Sequence, residues 1–193
     1  MKKIFVRLLF LFLICFPANS ETKINPIIEG RVDAKIKLIV YESLTCNHCA
    51  KFHKDVYPEL KEKYIDTGLA VIEFKSFPLD IAALTASKIA HCKNDGKSEI
   101  LHFLFENQSE WVKGNSVEEF NTNLKKILGK KKFNVDFEKC INNKKIEDYV
   151  LEDRIEGVKK FEVNATPTII INGEKFDKPL TFKNLKKFLE KLI

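Results

Sequence analysis

Arginine is almost missing from this chain of 193 residues: it stands only at Arg7, Arg31 and Arg154, although Lys and Arg together number 33. A nucleic-acid reader relies on the forked guanidinium for bases and phosphates, so the net charge of +6 does not indicate nucleic-acid binding. No apolar run approaches the ~18 residues that span a bilayer, which excludes a polytopic membrane protein. Five cysteines are too few for a disulfide-dense miniature scaffold. Internal repeats and low-complexity segments are also missing. What remains is 45% hydrophobic and 31% charged, the balance of one ordinary globular domain.

The first twenty residues stand apart. Met1-Lys2-Lys3 is a basic start, Leu8 to Phe16 is wholly apolar, Pro17 breaks the run, and Ala18-Asn19-Ser20 supplies small residues. That order predicts a cleaved export signal over residues 1–20. A retained anchor is the competing reading, against which Arg7 leaves the apolar run short, and bulky Phe12-Leu13-Ile14 argues against lipid attachment at Cys15. Cleavage removes Cys15 and half of the positive excess. It leaves Cys46, Cys49, Cys92 and Cys140, an even set in an oxidising compartment.

Residues 21–34 read as a short arm. Lys35 to Ser43 and Leu69 to Phe77 are apolar, β-branched runs of strand length. Between them, Phe52, Val56, Leu60 and Tyr64 recur every fourth position, one face of a helix that Pro58 should kink or interrupt. Residues 80–157 hold only helical patterns, one of them opened by Ser116 and Glu119 as a capping box. Thr168 to Ile171, the turn Asn172-Gly173, and Glu174 to Phe176 form a hairpin, and Thr181 to Leu192 an amphipathic helix. The order β-α-β, helical block, β-β-α predicts an α/β fold with one mixed sheet in residues 21–193, the helical insertion spanning about 80–157. Lys130-Lys131-Lys132 reads as a solvated loop.

Cys46-Asn47-His48-Cys49 falls where the first strand turns into the first helix. A thiolate there faces unpaired backbone N–H groups and the positive end of the helix dipole, so its pKa falls. Two intervening residues bring the second sulfur within disulfide reach, and an imidazolium at His48 adds to the stabilisation. All three influences favour the reduced form, and a pair so biased is a strong oxidant. Cys46 is thus expected to be the nucleophile and Cys49 its buried partner. A plain structural disulfide and half of a zinc site are the competing readings. The zinc reading lacks the second CxxC or HxxxH that a closed site needs.

Thr166-Pro167 precedes the third strand, where a proline is ordinary; its meaning depends on a cis peptide that sequence does not reveal. With CNHC, Thr-Pro, hairpin and closing helix in this order, the chain resembles the thioredoxin superfamily. Within it, the helical insertion and His48 resemble the DsbA family of bacterial thiol oxidases, including disulfide oxidoreductases of rickettsia-like α-proteobacteria. Gly30 to Phe52 and Leu104 to Trp111 carry the resemblance most clearly. It implies a thioredoxin-like sheet and a cis bond at Thr166-Pro167 against the active-site pair, with Asn47, Thr166 and Pro167 contacting substrate and tuning redox potential. It also implies a periplasmic location, unfolded exported proteins with free cysteines as substrates, and a DsbB-like membrane quinone oxidase as partner. No cofactor or metal follows from it. Two departures stand out: Thr166 matches the isomerase branch where the family's best-known enzyme has valine, and Val40 sits where thioredoxin-like proteins often bury a carboxylate.

Glu42, on the same strand face as Val40, is then either a proton shuttle for Cys49 or a solvated strand-end charge. Cys92 and Cys140 are expected to form a structural disulfide, as related enzymes suggest, with two buried thiols as the alternative. His53, four residues after Cys49, reads first as a surface or packing histidine and otherwise as a third ligand with Cys46 and Cys49. His91 and His102 have no partners at ligand spacing and read as structural, and Trp111 as core. Three functions follow: an exported oxidant that introduces disulfides, an isomerase or reductase, and a metal-binding assembly chaperone. Residues 21–34 are few for the dimerisation domain of a bacterial isomerase.

Overall fold

The computed structural model describes residues 23–131 and 133–193; the expected export segment with Cys15, and Lys132 of the lysine run, lie outside the described residues. One mixed sheet is built from β1 (Ile27–Gly30), β2 (Ile36–Glu42), β3 (Ala70–Ser76), β4 (Thr168–Ile171) and β5 (Glu174–Lys175), in the spatial order β1-β3-β2-β4-β5. β2 runs parallel to β3, pairing Val40 with Phe74, and antiparallel to β4, pairing Val40 with Ile169. Being central, β2 is apolar on both faces. Ile36, Leu38 and Val40 enter the main core, while Tyr41 enters a second cluster with Phe77, Val163 and Ile170. Glu42 ends the strand on the main-core face, 3% exposed.

β1 corrects the expectation of a mere arm at residues 21–34. Ile27 to Gly30 pairs antiparallel with β3 as an edge strand, and of its four residues Ile27 alone is buried. The hairpin between β4 and β5 turns at Asn172 (φ 49°) and Gly173 (φ 90°), the two left-handed residues that a tight hairpin uses.

The crossover from β2 to β3 is α1 (Asn47–Asp55), α2 (Tyr57–Leu60) and a π-helical turn over Lys61–Ile65. Pro58 interrupts as the sequence predicts: the helix stops at Asp55, and Val56 sits between the two pieces with φ −119°. Phe52, Val56, Leu60 and Tyr64 are all buried.

The insertion comprises α3 (Ile81–His91), α4 (Glu99–Glu106), α5 (Gln108–Trp111), α6 (Val117–Lys131), α7 (Phe137–Ile141) and α8 (Lys144–Phe161). The Ser116 hydroxyl caps α6 by accepting from Glu119 N, but Glu119 reaches back to Asn115 N instead of closing the box on Ser116. Trp111 is fully buried and its indole N–H donates to Leu104 O, anchoring α5 on α4; truncation to alanine is expected to cost ~3–5 kcal/mol. The Cys92–Cys140 disulfide joins the C-terminal cap of α3 to α7, with Cα atoms 5.5 Å apart. α8 covers the other face of the sheet, with Gly157 against the Tyr41 ring, where an added Cβ would meet Cε1 at 2.8 Å. α9 (Phe182–Leu189), capped by the Thr181 hydroxyl, closes the chain.

Candidate active site around Cys46 and Cys49

The end of β2 and the start of α1 are joined by Ser43-Leu44-Thr45, and three contacts fix that turn. Cys46 N donates to Ser43 O (3.0 Å), and the Thr45 hydroxyl to Asp80 (2.7 Å). The third contact comes from the insertion: the buried Gln108 amide donates to Leu44 O (2.8 Å) and Cys46 O (3.1 Å). Cys46 therefore occupies the N-cap of α1 in extended conformation, with no side-chain cap bond.

The two sulfurs differ sharply. Cys46 is partly exposed and Cys49 is fully buried, and both are free thiols here. The Cys46 pKa falls to about 5: the Cys49 thiol donates to its sulfur, outweighing burial, and Thr166 and the backbone N–H groups of Cys49 and His48 add support. The Cys49 thiol is pushed far above its ordinary range, by burial first and then by the hydrogen bond it gives Cys46 and the nearby Glu42 charge. His48 thus acts on Cys46 through its backbone; its imidazole is exposed, as is Asn47.

The peptide bond between Thr166 and Pro167 is cis. It lays Thr166 O 3.3 Å from Cys46 Sγ, and the buried Thr166 hydroxyl has no other partner, free to turn to a thiolate. Beside it runs a cleft of about 610 Å³, lined by His48, Phe52, Thr166, Pro167, Leu180 and Phe182 among others. Phe52, Pro167, Leu180 and Phe182 give it an apolar wall, and Lys51 and Asp55 a charged one.

Behind Cys49 lies a buried polar chain that sequence reading missed. His53 is a packing histidine, stacked on Phe105 with ring centroids 4.1 Å apart, and is neither at the surface nor a third sulfur-site ligand. Its Nε2 meets Glu42 Oε2 at 2.7 Å and its Nδ1 meets His102 Nδ1 at 3.1 Å. The reading of Glu42 as a solvated charge is likewise overturned, since its side chain is 2% exposed. His102, from α4, is engaged at both ring nitrogens, its Nε2 meeting Glu29 Oε1 at 2.5 Å. Burial alone would raise the Glu29 pKa, but hydrogen bonds from His102, Ser98, Tyr57 and Lys61 hold it well below the carboxylate range. His91 is buried against Ser76 and Tyr149 as a core residue, its pKa lowered by burial to about 4. Among the described residues, no three His, Cys, Asp or Glu side chains are placed to hold a metal ion, so Cys46, Cys49 and His53 are not gathered into a ligand set.

Gln108 and His102 lie about sixty and fifty residues from the helix they support, and no local periodicity marks them. The stretch Leu104 to Trp111, already conspicuous by resemblance, was the available signal for Gln108.

The family model described as Thioredoxin matches residues 22–191. A Rickettsia bellii protein named as a protein-disulfide oxidoreductase is 31% identical over 160 residues, which is 82% of this chain and 61% of that protein. The chain spans 54% to 62% of the length of the Rickettsia relatives it matches. The crystal structure of Wolbachia pipientis alpha-DsbA1 superposes with a TM-score of 0.76 at 32% identity, over 87% of this chain and 90% of that one. Oxidised BdbD from Bacillus subtilis shares the fold, with a TM-score of 0.72 at 20% identity over 86% and 92% of the two chains. With its Cys-X-X-Cys helix cap, cis-proline loop and helical insertion, the chain belongs to the thioredoxin family and is DsbA-like in fold.

Proposed function

We propose that this protein is an exported thiol:disulfide oxidoreductase that acts as an oxidant, introducing disulfides into folding proteins in the periplasm through Cys46 and Cys49. The observation that carries the reading is the asymmetry of the two sulfurs. Cys46 is partly exposed with a pKa near 5, whereas Cys49 is sealed in the core. A substrate thiolate attacks Cys46 of the disulfide form, and the bonding pair leaves on Cys49, which takes a proton. A second substrate thiolate then attacks the substrate sulfur of the mixed disulfide. Substrate departs oxidised, and Cys46 leaves as the thiolate its surroundings favour. His48 and Asn47 flank the attacked sulfur, and Thr166 and Pro167 present backbone to the incoming chain. A DsbB-like membrane quinone oxidase would restore the Cys46–Cys49 bond. Cys92–Cys140 staples the insertion and takes no part.

The test is the reduction potential of the Cys46–Cys49 pair against glutathione. A strongly oxidising family member lies near −120 mV and thioredoxin near −270 mV. We expect the former region; a thioredoxin-like value overturns the oxidant role. One observation favours an isomerase role instead, the Thr166 hydroxyl beside Cys46 in place of an aliphatic side chain. Rescue of scrambled ribonuclease by the reduced protein, without added oxidant, would decide for that reading.

A further inference from the structure

The carbonyl of Cys46 receives more hydrogen-bond donors than it has lone pairs. Cys49 N and Ala50 N both donate to it at 3.1 Å, closing the first turn of α1. Gln108 Nε2 is a third donor, also at 3.1 Å. A carbonyl oxygen has two lone pairs, so one of the three donors is in excess. The sulfur of the same residue has the opposite shortage. As a thiol, Cys46 donates to Thr166 O at 3.3 Å; as a thiolate it has no hydrogen to give and needs donors instead. Those at hand are the Cys49 thiol first and then, against burial, the backbone N–H groups of Cys49 and His48. The Cys49 N–H thus stands between two acceptors on one residue, the oxygen and the sulfur of Cys46. Gln108 is placed to settle that competition. It is buried, and its second bond, to Leu44 O at 2.8 Å, means that two carbonyl oxygens fix which end of the amide faces them. It opens α5, which the buried Trp111 anchors through its indole N–H on Leu104 O. The third donor therefore comes from the insertion, not from the strand and helix that carry the cysteines.

We propose that Gln108 is a positioning residue for Cys46: by holding the Cys46 carbonyl from the insertion, it releases the Cys49 N–H to the Cys46 sulfur whenever that sulfur is an anion. This role rests on the assignment of Cys46 and Cys49 as the redox pair. While the sulfur is uncharged, the Cys49 N–H stays with the carbonyl as an ordinary first-turn bond. When Cys46 loses its proton, that N–H leans to the sulfur. The oxygen it leaves keeps Ala50 N and Gln108 Nε2, one donor for each lone pair. The helix start therefore serves the thiolate without leaving its own carbonyl short. In the absence of the Gln108 amide the same shift strips the carbonyl to a single donor, and that loss offsets what the thiolate gains. Gln108 acts through the backbone of Cys46 and not on its sulfur.

The decisive variant is Gln108→Met, which nearly keeps the side-chain volume and removes the donor. Thiolate absorbance of the full protein in its reduced form is followed against pH, together with the amide proton resonances of Cys49 and Ala50. We expect the Cys46 midpoint to rise by about one unit, a tenfold loss of thiolate at any pH below it. The equilibrium with glutathione should move towards the disulfide by up to ~tenfold, because the reduced form has lost stabilisation. In the parent the Cys49 resonance should follow the Cys46 titration more strongly than that of Ala50, whose N–H stays on the carbonyl. In Gln108→Met the two should respond alike. Gln108→Asn, whose amide is one methylene short of the two oxygens, should reproduce these shifts and serves if Gln108→Met does not fold. Denaturant unfolding is measured on the same samples. A Gln108 that is merely structural would lower stability and leave the midpoint in place. That result overturns the role, as does a Cys49 resonance that titrates in the variants as it does in the parent. If the parent forms no Cys46–Cys49 disulfide with oxidised glutathione, the redox assignment itself fails, an outcome visible before any variant is made.

Discussion

Among the described residues the cysteines form two pairs, at opposite ends of helices. Cys46 caps the N-terminus of α1, where backbone N–H groups and the positive end of the dipole meet a partly exposed sulfur. Cys92 caps the C-terminus of α3, where the carbonyl end disfavours a thiolate, and its partner Cys140 is buried in the last turn of α7. The first pair closes a loop of two residues between its cysteines; the second bridges a separation of 48. The same side chain therefore serves as reagent or as staple according to helix polarity and access. A cysteine count alone does not distinguish them.

The largest expected effect sharpens this contrast. Cys46→Ser should abolish oxidation of a reduced cysteine-containing peptide, whereas the double variant Cys92→Ser with Cys140→Ser should retain it; exchange surviving in Cys46→Ser would break the comparison. In that double variant the cost should fall on stability instead, roughly 2–4 kcal/mol by denaturant unfolding, because the unfolded chain regains a long loop's entropy. Gln108→Leu joins the two regions, since it leaves Leu44 O and Cys46 O without their donor. Its cost should be ~1–3 kcal/mol, and thiol alkylation of Cys46 should lose its uniform kinetics if the turn loosens.

The smaller effects are titrations. Thiolate absorbance of the reduced protein should develop with a midpoint near pH 5 and be lost in Cys46→Ser. Because the folded pKa lies below the ordinary thiol value of 9.0, the stabilisation is complete above pH 9 and disappears as pH falls through 5. Stability of the reduced protein relative to the disulfide form should thus rise from pH 5 to 9; a flat difference would show that the Cys46 environment does not favour the anion. Thr166→Val removes the hydroxyl available to that anion, and the absorbance midpoint should rise by about one unit or less, one unit being ~1.4 kcal/mol.

The division of Cys46, Cys49, Cys92 and Cys140 into a pair at the strand-to-helix turn and a bridged pair in the insertion was legible early. The CNHC placement followed from a β-branched run ending two residues before Cys46 and a fourfold apolar repeat beginning after it. The hairpin turn followed from Asn172-Gly173, and the helix break from Pro58. These are local signals, written within a few residues of the feature they create. β1 was missed because only Ile27 of its four residues is buried, so it shows neither alternation nor a continuous apolar run. The Glu42–His53–His102–Glu29 line was missed for the opposite reason. Each member sits on a different element (β2, α1, α4 and β1), and only the closed sheet with the insertion folded over it brings them together. Periodicity marks which face a residue takes; it does not say which distant polar group waits on that face.

The N-cap position of Cys46 has a consequence for how the proposed oxidising strength would be stored. Helix starts normally recruit serine, threonine or aspartate, whose oxygens accept from the second and third backbone N–H groups. Here those N–H groups belong to His48 and Cys49, and the sulfur can serve them well only as an anion. A sulfur tied in a disulfide carries no charge to offer those groups, whereas a released thiolate would give the helix its cap. In the oxidant role proposed above, the driving force for making a disulfide in another protein would be, in part, the completion of a secondary structure in this one.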